Sequence, residues 1–287
     1  MAMKARNLPV LGPKGFINLA YTEWEGSSGA PVVLCVHGPT RNARDFDYLA
    51  EALAPRFRVV CPDMPGRGHS DWLDDAASYS FHYYLAVIAA LYARLDAPAV
   101  HWVGTSMGGI LGMLFASLPK SPIRRLVLND VGPLVAKEGL ERIGRNVGRD
   151  PGFSNRQELD AYLRDAYAGF GKLSEAQWQH LATHGGRTRS DGKLGLAYDP
   201  KIGEAFQSLA PAGAMQDVDF WSFYDRITCP TLVLRGAQSD VLRAGDAALM
   251  TERGPRAQLV ELPGIGHAPS LMESNQIALI RDFLLAG

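Results

Sequence analysis

Six short runs of apolar and β-branched residues, Val32–Val36, Phe57–Cys61, Val100–Val103, Leu126–Leu128, Thr231–Arg235 and Gln258–Leu262, constrain the fold most, because they lack sustained polar alternation. A strand with one face in water must alternate. A strand buried on both faces need not, and such runs belong to parallel sheets covered by helices. Helix-length stretches separate the runs at Ala43–Leu53, Phe81–Leu95, Met107–Leu118 and Ile277–Leu285. Strand and helix in alternation predict an α/β fold, a doubly wound and mostly parallel sheet with helices on both faces. Phe16–Trp24 alternates better and reads as an antiparallel edge strand.

After the run ending at Leu128 the rhythm stops, and from about Gly132 to Val218 no buried strand is evident. Leu134–Val147, Gln157–Phe170, Ala176–His184 and Pro200–Leu209 instead carry apolar residues at helical spacing, separated by Gly, Pro and Asp in DPGFSN and GGRTRSDGK. The expected organisation is a core of residues 1–131 and 219–287 with a helical cap, 132–218, inserted after the sixth strand.

Bulk properties narrow the partners. The 287 residues carry 29 basic and 30 acidic side chains, so no strong field exists to attract nucleic acid or an anionic membrane surface. Neither partner is expected, and a small molecule is the better substrate class. Cys35, Cys61 and Cys229 sit in or beside apolar runs, an odd count that argues against a disulfide framework and for a reducing compartment. The first residues, MAMKARNLPVLGPKG, lack the apolar stretch of a signal peptide, so the reading is cytoplasmic. No dinucleotide fingerprint or phosphate loop is present, and no cofactor is expected.

Chemistry concentrates at Gly104-Thr105-Ser106-Met107-Gly108, which follows one strand and opens the next helix. A strand-to-helix turn this sharp strains its middle residue, and glycines two positions away remove the Cβ atoms that would clash. It exposes the Ser106 hydroxyl at a helix N-terminus, where free N–H groups favour developing negative charge. A serine hydroxyl is a weak nucleophile until a base takes its proton, and that base needs a carboxylate to orient it. His267, in the loop LPGIGHAPS after the last strand, is the base expected; Asp240, in LRGAQSDVL after the preceding strand, is the carboxylate.

Five motifs in this order make the chain resemble the α/β-hydrolase superfamily across nearly its whole length: His37-Gly38, Asp63-Met-Pro-Gly-Arg-Gly-His-Ser70, Gly104-Thr-Ser-Met-Gly-Gly109, Gly236-Ala-Gln-Ser-Asp240 and Gly264-Ile-Gly-His267. The resemblance implies Ser106 as nucleophile, Asp240 as acid, His267 as base, and the 132–218 insertion as a lid. Asp130, in LVLNDVGP, is the rival acid because some members place it there; otherwise it caps the first cap helix or lines the pocket floor. An oxyanion needs two donors. Met107 N–H is one; the family's usual second donor falls on Pro39, which has no N–H, so Thr40 is expected to supply it.

The remaining candidates have plainer readings. His37 is expected to hold its loop by hydrogen bonds, with a place in the pocket as the alternative, and Asp63–Ser70 reads as a tight structural turn. His180 and His184 share a helical face, but Leu181 stands where a metalloprotease has Glu; no metal is expected, and His184 is placed toward the pocket. Trp178 is either cap packing or a pocket wall, and Arg187 and Arg189 are solvated or meet an acidic substrate. Apolar cap faces leave pairing into a homodimer open. The function expected is a cofactor-independent hydrolase of the carboxylesterase kind, cleaving an ester, thioester or lactone through an acyl-enzyme. A C–C bond hydrolase of vinylogous diketo acids and a low-turnover ligand-binding protein on the same fold are the alternatives.

Overall fold

The computed structural model describes residues 2–208 and 215–286. Its main sheet runs through β1 (Met3–Gly12), β2 (Gly15–Trp24), β3 (Val32–Val36), β4 (Arg58–Pro62), β5 (Val100–Thr105), β6 (Ile123–Asn129), β11 (Thr231–Gly236) and β12 (Gln258–Leu262), in the spatial order β1-β2-β4-β3-β5-β6-β11-β12. From β4 to β12 every neighbouring pair is parallel.

The absence of polar alternation now has its cause. Along β3, Val32, Leu34 and Val36 pack on one side with α2 (Phe81–Arg94) and α3 (Met107–Ala116), while Val33 and Cys35 pack on the other with α1 (Asp47–Leu53) and the last helix, Ser274–Leu285. Both faces are dry, so both must be apolar.

The Phe16–Trp24 strand is not at the edge. β2 lies between β1 and β4, antiparallel to both, and β1 takes the edge position. β1 is mostly exposed and carries Lys4, Arg6, Asn7 and Pro9, residues that suit an edge in water and give no apolar signal.

The stretch 132–218 holds α4 (Lys137–Gly144), α5 (Arg156–Ala166), α6 (Glu175–Gly185) and α7 (Lys201–Gln207). It also holds strands that the helical periodicity hides. Leu134–Val135 (β7) pairs antiparallel with Val218–Asp219 (β10), tying the two ends of the segment together, and this delays the first helix to Lys137. GGRTRSDGK is not a mere separator: Gly186–Thr188 (β8) and Leu194–Leu196 (β9) form a hairpin whose turn contains Asp191-Gly192, with Gly192 at φ 80°. Leu209, the expected end of the last cap helix, lies outside the described residues. Among the described residues no helix is long and apolar enough to cross a membrane.

Candidate active site

Ser106 sits between β5 and α3 at φ 53° and ψ −116°, a left-handed backbone that an L residue adopts only when its surroundings fix it. The fixing contacts are close approaches that glycine alone permits. A Cβ on Gly104 would lie 2.3 Å from the Gly108 carbonyl oxygen, and one on Gly108 would lie 1.9 Å from the Val36 carbonyl oxygen. Ser106 N–H donates to Asn129 O at 3.1 Å, pinning the turn to the end of β6. Met107 is the first residue of α3, so its N–H lies outside the helical ladder.

His267, in the loop after β12, has Nε2 at 3.0 Å from Ser106 Oγ. Its Nδ1 lies 2.8 Å from Asp130 Oδ2. The carboxylate expected from the sequence, Asp240, is elsewhere: Arg142 of α4 grips it through Nε at 2.5 Å and Nη2 at 2.8 Å. Strand order contributes to the difference: β6 is paired directly with β5, so the residue that follows β6 stands beside the Ser106 turn, whereas β11, which leads to Asp240, is one strand further away. Asp130, at φ 54°, is completely buried there, and its remaining capacity is filled by Gly236 N–H at 2.7 Å and Ser239 Oγ at 2.6 Å. Asp240 sits four residues beyond the end of β11, within reach of the cap. Its burial alone would raise its pKa, but Arg142 outweighs burial and holds it below the usual carboxylate value.

A cavity of about 270 Å³ opens beside Ser106. Its walls are largely apolar, with Met107 and Ile110 from α3 and Leu140, Ile143, Ile202 and Phe206 from the 132–218 stretch. The four residues expected in the pocket do not line it. Asp130 is beneath the histidine as described. His37 is a fully buried strut, donating from Nδ1 to Gly38 O at 2.7 Å and accepting at Nε2 from Met64 N–H at 2.9 Å; burial pushes its pKa down to about 3. Trp178 packs with Leu181 and Met272 under the cap. His184 faces the loop before α1, where its Nδ1 takes a 3.4 Å contact from Arg44 Nη1, and burial followed by Arg44 lowers its pKa to about 4.

Asp47, His180 and His184 bring ligand atoms within 4.8 Å of one another, but Arg44 already engages both Asp47, at 2.6 Å, and His184. His180 Nε2 is spent on the Arg44 carbonyl at 2.8 Å.

Thr40 is not on the cavity wall either. Its Oγ1 meets Tyr167 Oη of the cap at 3.1 Å, and Pro39 is the loop residue that faces the cavity. Arg187 and Arg189 both close on Asp150, at 2.7 and 2.9 Å, and are neither free nor near Ser106's wall. The turn Asp63–Ser70 is built as expected, its buried carboxylate accepting Ala43 N–H at 2.7 Å and His69 N–H at 2.9 Å. What the sequence did not single out is Arg67 in that turn, which is buried and lines the cavity. The one signal was an arginine in an otherwise glycine- and proline-rich stretch.

Comparison with known proteins agrees with this architecture. A family profile described as alpha/beta hydrolase fold matches residues 31–273. The chain is 43% identical over 277 residues to a 3-hydroxybutyrate-oligomer hydrolase of Cupriavidus necator, covering 95% of this chain and 94% of that protein. It is 26% identical to a pimeloyl-[acyl-carrier protein] methyl ester esterase of Xanthomonas campestris pv. campestris, over 86% of this chain and 92% of that one. Among solved structures, an alpha/beta hydrolase from Novosphingobium aromaticivorans superposes with a TM-score of 0.87 at 41% identity, over 99% of both chains.

Proposed function

The chain belongs to the α/β-hydrolase family and is a hydrolase, and from that premise we propose that it cleaves carboxylic esters through an acyl-enzyme on Ser106, with linear oligoesters of a short hydroxy acid as the substrate class. The observation that carries the chemistry is the unbroken chain Ser106 Oγ, His267, Asp130 at the wall of an apolar cavity. Asp130 holds His267 with its proton on Nδ1, which leaves the Nε2 lone pair for the serine proton. Ser106 Oγ then attacks the ester carbonyl as His267 takes that proton. The resulting oxyanion falls by Met107 N–H at the start of α3, where the helix end favours negative charge. Collapse expels the alcohol with the proton from His267. A water, deprotonated in turn by His267, releases the acid and restores Ser106.

The substrate class is supported by the C. necator relative, whose similarity spans nearly all of both chains. A second ester-cleaving relative acts on a different alcohol, so the ester bond is the shared element. Purified wild type and Ser106→Ala are to be assayed on p-nitrophenyl acetate and butyrate and on the linear 3-hydroxybutyrate dimer and trimer. Hydrolysis by wild type and loss to background in Ser106→Ala is the expected result, with a fluorophosphonate probe labelling only wild type. No labelling of Ser106 removes the acyl-enzyme. Labelling without ester turnover moves the reading to C–C cleavage or to ligand binding.

A further inference from the structure

Among the described residues three arginines are buried: Arg41, Arg67 and Arg235. Arg41 pairs with Asp45 at 2.5 Å and Arg235 with Glu261 at 2.5 Å. Arg67, 1% exposed and the most buried of the three, has no ion pair among the described residues. Its Nε donates to Pro39 O at 2.8 Å, and its Nη1 donates to Pro65 O at 2.8 Å and to Tyr84 Oη. The rings of Tyr84 and Tyr79 flank the guanidinium at 5.0 and 5.7 Å. Asp199, buried nearby, is spent on Tyr79 Oη at 2.6 Å and Lys201 N–H at 3.0 Å. The Nη2 end has a single partner among the described residues, the thioether sulfur of Met107 at 3.6 Å.

A buried cation without a direct ion pair is costly, and the nearby Asp199 carboxylate, carbonyl dipoles and aromatic faces offset only part of that cost. Among the described residues, Arg67 is the one cationic side chain on the cavity wall, and no acidic side chain lines it. Met107 is a pliable acceptor that moves aside at little cost, since a thioether holds an N–H weakly and has three rotatable bonds. The Nη2 end therefore presents a weakly held cationic donor to an otherwise apolar chamber beside Ser106.

Resting on the esterase reading above, we propose that Arg67 binds a free carboxylate carried by the substrate, so that the preferred ester is a monoanion whose carboxylate takes the place of Met107 Sδ on Nη2. A planar guanidinium matches a carboxylate's geometry, and one cation selects a singly charged group. The enzyme then works from the acid end of an oligoester. Its released hydroxy acid, also a carboxylate, competes for the same anchor.

The test compares the 3-hydroxybutyrate dimer as the free acid with the same dimer carrying a terminal primary amide, which leaves the scissile ester unchanged. Wild type is expected to favour the acid by about tenfold to a hundredfold in kcat/KM, the worth of one charge-assisted hydrogen bond. Arg67→Met is expected to bring that ratio to about one, and Arg67→Lys to restore part of it. Should Arg67→Met fail to fold, wild type alone decides: butyrate is expected to inhibit p-nitrophenyl acetate cleavage at least about tenfold more strongly than butyramide. Equal kcat/KM for acid and amide in wild type, equal inhibition by butyrate and butyramide, or equal loss on both substrates in Arg67→Met overturns the proposal. Ser106-dependent cleavage of the amide in any of those cases leaves the esterase reading standing; its absence removes that reading instead.

Discussion

Replacing Asp130 by Asn and, separately, Asp240 by Asn distinguishes the two carboxylates by a wide margin. Asp130 accepts three hydrogen bonds, from His267 Nδ1, Ser239 Oγ and Gly236 N–H, and is completely buried. An asparagine there has one oxygen and one NH2. With the NH2 in place of Oδ2, it confronts His267 Nδ1 and drives the imidazole proton to Nε2, so that Nε2 no longer accepts from Ser106. With the NH2 in place of Oδ1, it faces Gly236 N–H, two donors in a dry site, at a cost of about 1–3 kcal/mol. In either case the imidazolium of the transition state loses its counter-charge. The equivalent change in a serine protease lowers kcat by about 10⁴, so Asp130→Asn is expected to lower kcat/KM by about 10³–10⁴, or roughly 4–5.5 kcal/mol of barrier. Asp240 differs in kind, because it and Arg142 are each about a third exposed, at 33% and 38%. Solvent screens that pair, and its loss costs about 0–1 kcal/mol of stability. Asp240→Asn should keep at least about a tenth of wild-type activity on short p-nitrophenyl esters, a barrier change below about 1.4 kcal/mol. Steady-state kinetics at pH 7.5, with circular dichroism to confirm folding of both variants, measures this. An Asp240→Asn enzyme more impaired than Asp130→Asn would refute the assignment and the strand-order argument beneath it.

Stability should fall in acid because of His37. Unfolded, its imidazole titrates near 6.5; folded, burial holds it near 3. Between those values only the unfolded chain takes up the proton, so stability is lost as pH drops below 6.5, by about 2 kcal/mol from pH 7 to pH 5. Urea titrations at the two pH values should show a smaller loss in His37→Gln; an identical loss would refute the argument. Gly108→Ala places its Cβ 1.9 Å from the Val36 carbonyl oxygen, and because that neighbour is backbone, a loss of at least about 3 kcal/mol or of soluble protein is expected in a thermal melt. Tyr167→Phe removes the 3.1 Å contact with Thr40 Oγ1 that ties cap to core, for about 1 kcal/mol in denaturant unfolding. An unchanged midpoint would show that water replaces the tyrosine hydroxyl.

What the sequence made legible was whatever a residue declares through its near neighbours. The β3 run ends where the strand ends, because burial on both faces writes itself into consecutive residues. Ser106 was legible for the same reason, its strain being set by glycines two positions away. β1 was not, since an edge strand in water has no apolar pattern to offer. Arg67 was missed because composition does not say that a charged residue is buried.

The choice between Asp130 and Asp240 was illegible on a different ground. Both follow strands, and both stand between Ser106 and His267 in chain order, so local pattern satisfies either. Two long-range facts decide it: β6 separates β5 from β11, and α4 brings Arg142 across to Asp240. The second matters as much as the first. A carboxylate held by a fork of two hydrogen bonds from a guanidinium is no longer available to orient an imidazole. The 132–218 stretch therefore does more than line the cavity. By engaging Asp240 from 98 residues away, it leaves His267 with a single carboxylate partner, and that partner is the one whose other acceptor sites the β11 loop already fills.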